Sequence, residues 1–234
     1  MRPAAGSSER AEMDAAATFR SAVSDLEAGL DQQRQERPEI AFEQQPPPRK
    51  LAPYAAAIGA IVHEPVTRRG AAAWPAAGDD PDTEIGWGSF VLLYDPAGQT
   101  GWAGPFRMIV YVRADLDPEI AADPLVGQVG WSWLTEALDT RTSGYRRVSG
   151  TVTRVVTEGF GAKEGQPTAT GFELRASWSP VTPEDAAAAP AQHAPADLDG
   201  HVAAWCDVLC AASGLPPLPA GVSALRPPRA RRRP

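Results

Sequence analysis

The sequence predicts an α+β fold, with an antiparallel sheet of four to six strands and helices packed on one face as a single two-layer domain. Three observations carry this. Apolar runs that alternate in hydrophobicity recur between residues 87 and 178, as in Phe106-Arg-Met-Ile-Val-Tyr-Val-Arg-Ala-Asp. Five of the seven tryptophans, Trp87, Trp102, Trp131, Trp133 and Trp178, lie in the same stretch, and indoles bury large areas. The strands do not alternate regularly with long helices, which argues against a doubly wound parallel sheet.

Each element follows from local pattern. Residues 1–11 are expected to be a disordered leader. Phe19, Val23, Leu26 and Leu30 recur at three- and four-residue spacing and predict a helix from Asp14 to about Arg37, stopped by Pro38. Glu39-Ile-Ala-Phe-Glu alternates as an edge strand would, and Ile58, Ala60 and Val62 mark a second strand. An Ala/Gly/Asp/Pro insert at 66–84 is expected to be a mobile loop. Residues 87–94 and 104–114 then form a hairpin, since Asp95-Pro-Ala-Gly-Gln is turn chemistry. In its second strand Phe106, Met108, Val110 and Val112 share one side, and Arg107, Ile109, Tyr111 and Arg113 the other. Asp117 and Pro118 open a short helix, and a second helix is expected from about Val129 to Thr140. Strands follow at about 145–158 and 168–178, then a Pro/Ala linker at 181–196. The final helix, about 197–213, has Asp197 as cap and Gly214 as stop. The domain is thus expected to span 12–222, with 223–234 a disordered basic tail.

Composition narrows the function classes. Net charge is −7, which argues against general nucleic-acid or anionic-membrane binding by the folded part. No run reaches the ~18 apolar residues needed to span a bilayer, and the N-terminus lacks an apolar signal core, so a cytoplasmic protein with no membrane partner is expected. Lys50 and Lys163 are the only lysines; the remaining basic charge is arginine, as a GC-rich coding genome would give.

No motif carries recognisable chemistry. A Walker or dinucleotide glycine pattern is missing, as is G-x-S-x-G, and no cofactor is implied. Ser132 and Ser177 read as small residues beside tryptophans. Asp95, Asp115, Asp123 and Glu158 could in principle pair for acid–base work, but Asp95 and Asp123 precede proline, a turn signal. His201, Cys206 and Cys210, with His193, invite a metal reading; the expected reading is a packed helix stripe with Val202 and Leu209, and no metal.

The best-motivated surface is the second face of the sheet. Arg107, Arg113 and Arg175, with Tyr111 and Glu173, lie opposite the apolar strand faces, and Arg154 joins them if the register allows. Guanidinium forks suit carboxylates and phosphates; an ordinary solvated face with cross-strand Arg–Glu pairs is the competing reading. A groove near Trp131 and Trp133 is a second candidate. The arginine tail at 226–233 offers the one route to nucleic acid.

Several stretches resemble an uncharacterised actinobacterial family catalogued as domain of unknown function 3000. They include Arg49-Lys-Leu-Ala-Pro-Tyr-Ala, Gly88-Ser-Phe-Val-Leu-Leu-Tyr-Asp-Pro-Ala-Gly-Gln, Phe106-Arg-Met-Ile-Val-Tyr-Val-Arg-Ala-Asp-Leu, Val129-Gly-Trp-Ser-Trp-Leu, Glu173-Leu-Arg-Ala-Ser-Trp and Ala204-Trp-Cys-Asp-Val-Leu-Cys. The resemblance implies an actinobacterial cytoplasmic protein and brings no activity, cofactor or catalytic residue. The sequence therefore favours a non-enzymatic binding or adaptor domain for a protein or small anionic ligand. An enzyme of unrecognised class using carboxylates and arginines is the second reading. A nucleic-acid-associated factor acting through the tail is the third.

Overall fold

The structure, a computed structural model, describes residues 5–64, 83–165, 168–181 and 197–215. Residues 66–82 of the expected insert, most of the linker with His193, and the basic tail lie outside the described residues; Glu84, placed in the insert by the sequence, begins a strand. In chain order the elements are α1 (Ala5–Glu36), β1 (Ile40–Gln45), β2 (Tyr54–His63), β3 (Glu84–Tyr94), β4 (Phe106–Asp115), α2 (Pro118–Ala122), α3 (Val126–Arg141), β5 (Tyr145–Thr157), a 3₁₀ turn at Gly161–Lys163, β6 (Ala169–Pro180) and α4 (Leu198–Ala212). The strands form one antiparallel sheet in the order β1-β2-β3-β4-β6-β5. Only the connection from β4 to β5 steps over a position, because β6 returns between them.

Most boundaries fall within a few residues of the pattern. The exception is α1, which begins at Ala5 instead of near Asp14 and so takes in part of the span read as a leader. Residues 9–13 are exposed, so no burial signal marks them in the sequence. Once the apolar turns near Phe19 and Leu26 nucleate the helix, extending it costs little.

The register sorts every strand residue onto one of two faces. Ile58, Phe90, Val110 and Ala176 pair in one row across four strands, and Ala60, Gly88, Val112 and Leu174 in the next. These rows are buried under the helices. Above them lies α4, whose residues are nearly all buried, including Val202, Trp205, Cys206 and Leu209. A helix apolar all round must be covered on every side. Here the sheet lies beneath α4, with α1 on one flank and α3 on the other. Trp205 is fully buried, tilted against Phe42 and Phe90 with ring centroids 6.2 and 5.7 Å away. It reaches the sheet because Gly88 has no side chain: a Cβ there would sit 3.2 Å from the indole and 2.9 Å from the Tyr111 carbonyl.

The helix layer is also tied by charge. Asp207 on α4 accepts from Arg37 Nη2 at 3.0 Å and from Arg141 Nε at 2.7 Å, so the C-terminal ends of α1 and α3 meet at one carboxylate. The Arg37 side chain is 3% exposed and also reaches Glu39 at 3.4 Å. Where α4 begins, Asp197 takes the cap position in a left-handed conformation, φ 74°, with no side-chain cap bond. Its carboxylate instead accepts from the Ser143 amide in the α3–β5 turn. The C-terminus follows expectation: Gly214 has φ 72°, and the Leu215 amide donates to the Cys210 carbonyl at 2.9 Å. Among the described residues no helix is long and apolar enough to cross a membrane.

Replacing Asp207 removes the shorter of two carboxylate pairs from a guanidinium that has almost no access to water, leaving it the 3.4 Å pair with Glu39. Asp207→Ala is expected to cost about 3–4 kcal/mol, whereas Arg34→Ala, which breaks the exposed Arg34–Asp31 pair, is expected to cost under about 0.5 kcal/mol. Urea unfolding of both variants checks the contrast.

Candidate functional site

Among the described residues the helices lie on one side, and the other face of the sheet carries none. Its central row is Ile61, Trp87, Arg113 and Glu173, and the next is Gly59, Ser89, Tyr111 and Arg175. Trp87 and Tyr111 meet at 5.2 Å between centroids, tilted by 60°. The Arg175 guanidinium sits 5.0 Å over the Tyr111 ring and pairs with Glu173 at 2.9 Å. Three strands thus contribute a Trp–Tyr–Arg–Glu ladder in which the cation stacks on the Tyr111 π face. Burial, and then Glu173, hold the Tyr111 phenol above its ordinary range.

Arg113 stands between Trp87 and Glu173, directly opposite both. It is exposed, and among the described residues it makes no hydrogen bond or ion pair, because Glu173 is turned to Arg175. Arg113 borders an open groove of about 460 Å³ with Glu84, Trp87 and Asp115. Those two carboxylates make the groove's wall acidic around the one cation.

The other predicted arginines are placed differently. Arg107 lies on the same face but is 8% exposed. Its guanidinium donates to the Arg147 carbonyl at 3.1 Å and to the Ser177 hydroxyl at 2.7 Å and carbonyl at 3.2 Å. It thereby braces the point where the β5–β6 register shifts between Arg146 and Ser149, with Arg147 at φ 51°. Burial, and then the nearby Arg147 charge, lower its pKa. Arg154 pairs with Phe172, a core residue, so the register puts it on the helix-covered side of the sheet, away from Arg113 and Arg175.

There Arg154 meets Trp131. The two border an open groove of about 520 Å³ between α3 and β5, with Gly127, Gln128, Gly150 and Val152. Trp131 lies on Gly150, where a Cβ would be 2.9 Å from the indole. A glycine inside a strand signals such a close approach, and the sequence reading did not use it. Trp133 points elsewhere: its ring packs 5.8 Å from Phe172 in the core. Two residues along a helix are about 200° apart, so these indoles cannot line one wall.

Two of the carboxylates weighed for acid–base work, Asp95 and Asp123, are spent locally, as is the cap residue Asp117. Asp95 accepts from the Ala97 amide and the Gln99 side chain within its turn. Asp117 accepts from the Glu119 amide as helix cap, and Asp123 from the Leu125 amide. Asp115 borders the groove beside Arg113, whereas Asp123 lies at the α2–α3 junction, its carbonyl accepting from Arg154.

His201, Cys206 and Cys210 are all fully buried. The Trp178 indole N–H donates to His201 Nδ1 at 3.1 Å, which fixes the tautomer with the proton on Nε2. That Nε2 has no hydrogen-bond partner. Burial drives the His201 pKa down to about 4 against a smaller opposing pull from Asp199. Burial also pushes the Cys210 thiol up to about 12 and Cys206 well above its usual value. Among the described residues, no group of three or more His, Cys, Asp or Glu is arranged to hold a metal ion.

Comparison with known proteins yields one match. A family model described as protein of unknown function (DUF3000) matches residues 15–223. No curated protein and no solved structure matches the chain.

Two outcomes follow from the buried polar groups. The folded-state pKa of His201, about 4, lies below the unfolded value near 6.5, so the native state binds fewer protons. Its contribution is fully present above pH 6.5 and is lost as pH falls towards 4. The loss amounts to about 3 kcal/mol. Denaturant unfolding of the wild type and of His201→Asn should therefore converge by that amount between pH 7 and pH 4. Both thiols should react with an aromatic disulfide reagent at pH 8 only at the rate of unfolding, and completely in denaturant.

Proposed function

We propose that this chain, which belongs to the family of proteins of unknown function DUF3000, is a binding domain that engages another protein through the face of its sheet that carries none of the described helices. One observation carries the reading. Trp87, Tyr111, Arg113 and Arg175 form a continuous surface on three adjacent strands, and the Arg113 guanidinium has no partner among the described residues. Trp, Tyr and Arg are the residue types that dominate binding energy at protein interfaces. The face is broad and half-apolar, with Ile61, Val91 and Ile109 partly exposed beside the aromatics.

Charge decides between the two kinds of ligand. A small free anion at Arg113 would also meet Glu84, Asp115 and Glu173. A protein surface can set a carboxylate at Arg113 and keep apolar or basic groups over the acids. An adaptor role with a macromolecular partner therefore fits better than anion storage. The same reading takes the domain to be cytoplasmic, where two buried, unpaired thiols suit a reducing compartment.

A photo-activated cross-linker placed at Ser89, in the middle of the face, tests this in cells. Cross-linking to a discrete protein partner is expected, reduced about tenfold or more by Arg113→Ala or Trp87→Ala. Both substitutions are at partly exposed positions and should leave the unfolding midpoint nearly unchanged. Cross-links that do not respond to either substitution, or their absence, would reject the reading.

A further inference from the structure

We propose that the outer edge of β5, with the groove between β5 and α3, binds an extended acidic peptide that adds to the sheet as a further strand. This site is separate from the face bearing Trp87 and Arg113.

The geometry comes from three contacts in a row. The Tyr145 hydroxyl donates to Asp139 at 2.9 Å, Trp131 lies on Gly150, and Arg154 Nη1 donates to the Asp123 carbonyl at 3.2 Å. As residue numbers rise along β5 they fall along α3, so helix and strand run antiparallel side by side. The groove between them is walled by Gly127, Gln128 and Trp131 from the helix and by Gly150, Val152 and Arg154 from the strand. An edge strand beside a helix is an arrangement in which a peptide can pair with the strand and set alternate side chains against the helix.

Among the described residues the edge itself is open. β5 pairs only with β6 and closes the strand order on that side. Among the described residues, Ser149–Thr157 make no backbone hydrogen bond outside that ladder. These residues span roughly 30 Å at about 3.3 Å each, enough for a peptide of several residues. Among the described residues no helix crosses the edge, and Val156 on the groove side is 61% exposed.

Charge selects the occupant. Tyr145–Thr157 contains Arg146, Arg147 and Arg154 and no acid, although the chain as a whole carries −7. Of the carboxylates nearby, Asp139 is engaged by Tyr145 and Asp123 by the Leu125 amide, while exposed Glu158 follows the far end of the strand. The Arg154 guanidinium is exposed and commits one N–H to the Asp123 carbonyl, which leaves donors for an incoming carboxylate. A second copy is a poor occupant, since pairing β5 with itself sets one arginine-bearing strand against another.

The test is selection of phage-displayed ten-residue peptides on the folded full chain, followed by anisotropy titration of the best clone as a fluorescein-labelled peptide. The proposal expects enrichment of alternating sequences rich in Asp and Glu. It expects slowed amide exchange at residues 149–157 in the complex and quenching or shift of Trp131 emission, isolated by comparison with Trp131→Phe. Arg154→Glu, at an exposed position, should weaken the peptide about tenfold or more, and the same peptide with Lys for its acids should bind that variant better than wild type. Arg113→Ala should change nothing, which separates this site from the sheet-face reading. Enrichment without acidic preference, no enrichment, binding that leaves amides 149–157 unprotected, or insensitivity to Arg154→Glu would each overturn the proposal. So would peptide-free protection of the β5 edge that grows with protein concentration.

Discussion

The burial of α4 on every side governs the rest of the architecture. Its apolar residues leave no polar stripe wide enough to face water, so it must take the centre of the helix layer over β3 and β4. That assignment displaces α1 towards β1 and β2 and α3 towards β6 and β5. It also puts every major helix on one side, because Trp205 needs the depression at Gly88 and the flanks of Phe42 and Phe90. The opposite face carries none of the described helices as a consequence of how the core closes. The same displacement sets α3 beside the β5 edge, where Trp131 can rest on Gly150.

The ion network at Asp207 belongs to this constraint. Two helix ends of like charge, Arg37 and Arg141, converge because α4 offers one carboxylate between them. Burying Arg37 requires that partner, since an isolated guanidinium in the interior costs several kcal/mol, on the order of the whole margin of stability. Trp178 and His201 are a second buried polar pair, and here neutrality does the same job as pairing. The imidazole accepts the indole proton and stays uncharged, at the cost of an unsatisfied Nε2. The interior therefore holds its titratable groups in their structural forms, with His201 neutral and both thiols protonated at neutral pH.

Much of this was legible in the sequence. Alternation along Phe106–Val112 and Phe172–Trp178 assigned the buried face correctly, because period-two patterning is a direct record of which side meets the core. Turn chemistry at Asp95-Pro and the Asp117-Pro118 cap located two chain reversals, since those bonds are local. What failed to show was set by distant partners. Arg107 and Arg113 are equivalent in the pattern, yet one is held by Arg147 and Ser177 and the other meets no partner. Arg154 changes face through the register of β5 against β6, which the irregularity at Arg146–Ser149 determines. Asp197 sits at a cap position but serves Ser143, a residue 54 positions away in the chain. Trp131 and Trp133 look like a pair in sequence and are divided by helix geometry.

The two ends of the sheet differ in a way that bears on how it avoids self-association. β1 is short, six residues, and closes the sheet beside α1. β5 is long, thirteen residues, and solvent reaches most of it. A long open edge is a template for indiscriminate pairing unless its side chains oppose it. Arginine at Arg146, Arg147 and Arg154 supplies that opposition to another β5, and the bulge at Arg147 adds a local distortion. The same charges that repel a second copy attract an acidic strand, so protection from aggregation and selectivity for a partner require no separate design. A neutral edge would have neither property, and an acidic one, on a chain already carrying −7, would add to the repulsion within the folded state.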